Sequence, residues 1–279
     1  QASPAWHRAM REVEAMLRLK GHPNVVSVEE VVQGPDGPCI VMEFLGGGSL
    51  HDRLQHGHLS LPEVLLVGQH VSSALAAAHA GGVIHRDVKP HNLLVSSFGH
   101  VKVADFGIAA LLRAAGAKTQ TQSLTLAYAS PEELDGAVDV GPPTDVYSLA
   151  ATLAHLATGN KPSFRDRSLA WLPFDAEPAL VHVGQELRRS LVTDPMQRPL
   201  MTDLVAMFDD AQARLGARRL GSLTPTVGHT APPTGPRVAP SASATTVLRR
   251  APATTVLRPT VQVPPPPPSV SSATARASS

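Results

Sequence analysis

The sequence lacks several things that would commit it to particular protein classes. It has a single cysteine, Cys39, so no disulfide can close within the chain, which suits a reducing, cytoplasmic setting. No apolar run approaches the roughly 18 to 20 residues needed to span a bilayer, and no secretory signal pattern opens the sequence, so no membrane segment is expected in it. Net charge is almost absent, formally +1 over 279 residues. That charge is unevenly spread: Ser222 to Ser279 holds five Arg and no Asp, Glu or Lys, which leaves the residues before it at about −4. A mildly acidic body offers no electrostatic footprint for nucleic acid, and five scattered Arg offer a thin one. Apolar side chains, in contrast, make up 43% of the chain, enough to bury a core in one large or two small domains.

Ser3-Pro4 followed by AWHRAMREVEAMLRLKG predicts a capped amphipathic helix that stops at Gly21, with Ala9, Val13, Met16 and Leu17 on one face. VVSVEEVV and CIVMEFL then read as strands of a hairpin turned at Gln33 to Gly37. Ser60 and Glu63 form a capping-box pattern ahead of a long helix through Ala80 that stops at Gly81-Gly82. NLLV and HVKVAD predict a second hairpin around Ser96 to Gly99, and further helices are expected over 144–158, 184–191 and 202–215. Past Leu220 the composition turns to Pro, Ser, Thr and Ala, ending in VPPPPPSV, and this tail is expected to be disordered with polyproline II character. Its one internal echo, ATTVLRR and ATTVLRP, is too short for a solenoid.

Between the long helix and the second hairpin lies HRDVKPHN, which crowds hydrogen-bonding side chains between apolar flanks. Alone it reads as a wet surface loop. Downstream and in order come ADFG with Asp105, YASPEE with Glu132, TDVYSL with Asp145 and DPMQRP with Arg198. Each motif is weak by itself, but the ordered series resembles the signature set of the eukaryotic-type protein kinases, especially the bacterial serine/threonine kinases, over roughly Ala5 to Gly216.

The resemblance implies an α+β, bilobal fold: an incomplete N-lobe of helix plus hairpin over 1–45, a mainly helical C-lobe over 46–220, and the tail over 221–279. It implies ATP and Mg²⁺ as cofactors and a protein substrate carrying a serine or threonine hydroxyl. Phosphoryl transfer asks mainly for positioning and charge neutralisation. In the family's terms Asp87 would orient the hydroxyl and accept its proton, Lys89 would sit by the transferring phosphate, and Asn92 and Asp105 would hold the metal ions. Glu12 falls at the family's helix glutamate, with Glu14 as the alternative. Met42 resembles the gatekeeper, the backbones of Glu43 and Leu45 would meet adenine, and Leu94 would lie beneath it.

Other matches are structural or regulatory. Met16, Val28, His85 and Phe106 match the family's hydrophobic column, Glu132 and Arg198 its buried ion pair, and Asp145 its brace on the catalytic loop. Arg86 before Asp87 marks kinases whose activation loop is ordered by phosphorylation. Thr119 and Thr121 are the expected phosphosites, and Thr125 matches a threonine that contacts the catalytic loop. His91 departs from the family's usual Glu, and Leu124 from its Gly. His51, His56 and His58 tempt a metal reading, but they come without a carboxylate or Cys set.

The family's glycine-rich loop and strand lysine precede the helix glutamate, and no Lys occurs here before Lys20. With Gln rather than Met at position 1, the expectation is a piece of a longer kinase that is nearly inactive alone, since one lost preorganised donor typically costs about 3 to 4 kcal/mol. The alternative is a pseudokinase-like scaffold acting by protein binding. Thr245 to Leu248 and Thr254 to Leu257 both read T-T-V-L, a pattern that suits a phosphothreonine-binding partner for the tail.

Overall fold

The computed structural model describes residues 18–34, 37–106, 126–137, 140–162, 172–216 and 220–224, with side chains of 31–40 outside the description. Arg249–Ser279 separates as a unit of its own and lies outside the described residues, as does most of the expected first helix.

β1 (Val28–Gly34) and β2 (Gly37–Met42) pair antiparallel, from Val28 opposite Met42 to Gly34 opposite Gly37. Pairing thus runs further toward the turn than the expected break at Gln33 to Gly37. The strand also begins later than VVSV suggests, because Val25 and Val26 join a different sheet: Val25 bridges to Val103 and Val26 N donates to Val103 O at 2.9 Å. Asn24 is the cause. Its Nδ2 donates to Val101 O at 3.0 Å and its carbonyl accepts from Val103 N at 2.8 Å, which staples this loop to the second hairpin.

A short helix, α1 (Leu50–Leu54), is capped by Ser49, whose Oγ accepts from Asp52 N while the Asp52 carboxylate accepts from Ser49 N. α2 (Leu61–Ala80) starts where SLPE predicts, with Glu63 accepting from both Ser60 N and Oγ, and it ends at Gly81 and Gly82. The second hairpin follows: β3 (Leu93–Val95) and β4 (Val101–Val103), three residues each, antiparallel. Beyond it lie α3 (Pro131–Leu134), α4 (Pro143–Thr158), α5 (Val181–Ser190) and α6 (Met201–Leu215). α5 begins ahead of the expected Gly184 because the 3₁₀ turn Pro178–Leu180 runs straight into it.

Every residue of α4 from Thr144 to Ala157 is buried, as befits a helix surrounded by others, and Gly159 closes it in the left-handed conformation at φ 72°. One core joins Leu75 of α2, Val95 and Val101 of the second hairpin, Leu153 of α4, Leu187 of α5 and Phe208 of α6. The architecture is therefore α+β, a small mixed part feeding a mainly helical body. Among the described residues no helix is long and apolar enough to cross a membrane.

Candidate active site

The loop after α2 is held by a carboxylate that never reaches solvent. Asp145, fully buried in the first turn of α4, accepts from His85 N and Arg86 N at 2.8 Å each and faces His79 Nε2 at 2.8 Å. These bonds offset a local cost, because Arg86 sits at φ 63°, a conformation that strains a non-glycine residue by about 1 to 3 kcal/mol. Thr152, two turns along α4, fixes the same loop by donating from Oγ1 to Val88 O at 3.1 Å.

That frame sets Asp87, Lys89 and Asn92 around one another. Asp87 Oδ2 accepts from Lys89 Nζ at 2.8 Å and from Asn92 Nδ2 at 3.0 Å, and Asn92 Nδ2 also reaches Asp87 O at 2.8 Å. Among the described residues, Asp87 Oδ1 is buried and accepts no hydrogen bond. Since Nδ2 of Asn92 is committed, its oxygen is the atom left to offer a cation.

Asp105 enters from β4 at φ 59°. Ala104 N donates to Asn92 O at 2.8 Å, so the residue before Asp105 is tied to Asn92. His85 adds a second tie: Asp87 N donates to its Nδ1 at 3.2 Å, which places the ring proton on Nε2, facing Ala104 O at 2.8 Å. Its ring lies 4.6 Å from that of Phe106, and Val28 and Phe106 share the main core, while Met16 is outside the described residues.

A second, small apolar cluster forms the neighbouring surface. Val26, Met42 and Ala104 are buried together, with Leu45 and Leu94 packed on them. Glu43 is pinned at its edge: its carboxylate takes both Lys102 Nζ, at 2.7 and 2.9 Å, and Ser27 N, while its own N–H donates to Ser27 O at 3.0 Å. The Glu43 carbonyl and the Leu45 N–H are the groups that could face a planar ligand. This apolar cluster, joined through Ala104 and Leu94 to the segments that carry Asp105 and Asn92, offers the residue types that could hold a nucleotide with a hard cation, which takes oxygen ligands and keeps waters or phosphate oxygens in its remaining positions.

The expected site residues thus fall into two groups. Asp87, Lys89 and Asn92 come together by direct bonds, with Asp105 tied in through Ala104, and Met42, Leu45 and Leu94 share one cluster with Glu43 at its edge. Glu12, Thr119, Thr121 and Thr125 lie outside the described residues. His51 stacks on His91 with ring centroids 3.7 Å apart. Burial first, then the neighbouring charges of His51 and Lys89, lowers His91 to a pKa of about 4. Among the described residues no set of three His, Cys, Asp or Glu could hold a metal.

A family model for the protein kinase domain matches residues 1–218. The chain belongs to the protein kinase family. It is 34% identical to the serine/threonine-protein kinase PknK of Mycobacterium tuberculosis over an alignment that covers 90% of this chain and 26% of that protein. It is 39% identical to the probable serine/threonine-protein kinase PknB of Lactococcus lactis, over 66% of this chain and 30% of that one. PknL of M. tuberculosis matches at 40% identity over 60% of this chain and 42% of its own length. The kinase chain therefore spans about a quarter of the length of the PknK relatives.

Sequence reasoning missed three contributors to this kinase site. Val26 reads as strand interior but lines the small cluster, and Ala104 was legible only as the neighbour of Asp105. His79, at the end of α2, carried no signal, because its partner Asp145 is far along the chain.

Proposed function

We propose that this chain is the core of an ATP- and Mg²⁺-dependent protein serine/threonine kinase. The observation that carries the reading is Asp87: one carboxylate oxygen is held by Lys89 and Asn92, and the other is buried with no hydrogen-bond donor among the described residues. A buried carboxylate oxygen without a donor is costly unless something else supplies one, and a substrate hydroxyl does.

Bound MgATP supplies the transferable phosphoryl group and the cation that neutralises its charge. Asp87 Oδ1 orients the serine or threonine hydroxyl and takes its proton as the oxygen attacks phosphorus. The new O–P bond forms as the bond to the departing ADP oxygen breaks. Lys89 Nζ, beside Oδ2, offsets charge on the moving phosphoryl group. The Asn92 side-chain oxygen and the Asp105 carboxylate would hold the metal. Val26, Met42, Ala104, Leu45 and Leu94 enclose the base, with Glu43 O and Leu45 N as its polar contacts. Glu12 fills the helix-glutamate role.

Regulation follows from the same assignment. Arg86 receives a phosphate placed on Thr119 or Thr121, Thr125 contacts the catalytic loop, and phosphorylated Thr245 or Thr254 recruits a phosphothreonine-binding partner. The setting we assign is cytoplasmic. The test is phosphotransfer from radiolabelled ATP to protein serine and threonine by the full-length protein. Activity abolished by Asp87→Asn and Asp105→Ala supports the reading; transfer that survives both substitutions sinks it.

A further inference from the structure

The chain does not leave the body of the molecule after α6. Leu220 packs on the main core and Leu223 is only 1% exposed within it. Leu223 N donates to Gly99 O at 2.8 Å, and Arg53 of α1 donates to Thr224 O. Gly99 is required twice over. Its φ of +79° suits glycine, and a Cβ there would overlap the Leu223 carbonyl oxygen and lie 2.8 Å from Leu223 N.

The turn that this strap presses, Ser96 to Gly99, is the far end of the hairpin whose near ends carry Asn92 and Asp105. A hairpin of three-residue strands is weakly specified on its own, and its register is set largely by its turn. A one-residue slip of either strand would part Leu94 from Lys102, which lie opposite each other on one face, and break the tie from Ala104 N to Asn92 O. The other edge of β3 is held by Gly47 N to Val95 O, at 2.9 Å, and Val95 N to Gly48 O, at 2.8 Å, in the segment that runs into α1. The strap grips both the turn and α1, so it fixes the hairpin from the end opposite the chemistry.

We propose that Leu223 is a positioning residue for the metal-binding pair Asn92 and Asp105, acting through the β3–β4 turn. This rests on the phosphotransfer reading for what the pair binds, but not for the mechanical link. The experiment compares full-length Leu223→Ala with Leu180→Ala, a substitution in the same core at the 3₁₀ turn before α5. Two readouts are taken: amide exchange at Ala104 and Val95, and the Mg²⁺ concentration giving half-maximal ADP binding by calorimetry. Leu223→Ala is expected to speed exchange at both amides by about tenfold or more and to raise the Mg²⁺ requirement severalfold, because the cavity loosens the turn locally. Leu180→Ala, at an equal or lower melting temperature, leaves both near wild type, and Leu223→Met restores them. Equal behaviour of the two alanine variants overturns the proposal. Should Leu223→Ala not fold, Gly99→Ala decides. In the full-length protein its Cβ is expected to displace the Leu223 backbone and speed exchange at Ala104 and Val95; exchange left at the wild-type rate at both amides overturns the link. Absence of Mg²⁺-dependent nucleotide binding in the wild type counts against the phosphotransfer reading alone, and the exchange comparison still judges the strap.

Discussion

The kinase body contains two buried ionic clusters that differ in one respect. Around Arg198 everything closes. Its Nε donates to Val192 O, Nη1 to Glu132 Oε1 and Pro143 O, and Nη2 to Glu132 Oε2 and Thr193 O, all between 2.7 and 3.1 Å. That uses all five guanidinium N–H groups. Thr144 Oγ1 adds a bond to Glu132, and the guanidinium lies 5.0 Å from the Tyr147 ring centroid. Around Asp87 the network stops one bond short, at Oδ1. A structural ion pair fills its own valences, because any gap is pure desolvation cost. A working carboxylate keeps one atom for a partner from outside. Asp145 resembles the first kind while serving the second, since its closed network shapes the loop that carries Asp87.

The largest expected effect separates the clusters by what they do. Asp87→Asn lowers phosphotransfer by roughly a thousandfold, about 4 kcal/mol of barrier, with little change in melting temperature. A comparable fall in stability would show that Asp87 belongs with the closed kind. Arg198→Met does the converse: it strands Glu132 and destabilises the fold by about 3 kcal/mol, the lower end for a broken buried pair because Glu132 is 17% exposed. Chemical denaturation measures this, and activity below the transition is expected to persist.

Asp145→Asn tests the intermediate case. An amide keeps one acceptor but turns an N–H toward a backbone N–H, which costs about 2 kcal/mol and loosens Arg86. The expected result is a loss of both stability and turnover. Turnover that falls with stability unchanged would break the idea that the brace is structural.

The smallest effect is a pH dependence. Burial pushes the Glu132 carboxyl up, but the hydrogen bond from Arg198, its own backbone N–H, the Arg198 charge and Thr144 outweigh it and hold the pKa at about 2, against an ordinary 4.5. The folded value is the lower, so this contribution is complete above about 4.5 and is lost as pH falls from there toward about 2. Denaturation midpoints across that window should fall less steeply in Glu132→Gln than in wild type. Identical slopes would remove Glu132 from the acid response.

Much of this was legible in the sequence because it is local. The cap at Ser60 and Glu63, the Gly81-Gly82 stop and the hairpin about Ser96 to Gly99 depend on neighbours a few residues apart, and the order of HRDVKPHN, ADFG and DPMQRP named the residue set. The misreadings have a common origin. Val25 and Val26 look like strand because they are β-branched, yet Asn24 spends its side chain on Val101 O and hands them to β4. His79 and Leu223 showed nothing, since each acts on a partner distant in the chain.

By itself, then, the sequence determined which residue types are present for the chemistry and which short elements carry them, because caps, turns and periodicity are short-range physics. Only the tertiary structure decided that Asp87 keeps one oxygen unpaired among the described residues, that His79 meets Asp145, and that Leu223 returns to Gly99. Those outcomes depend on which distant groups arrive to satisfy a buried polar atom or fill a space, and no local pattern encodes the arrival.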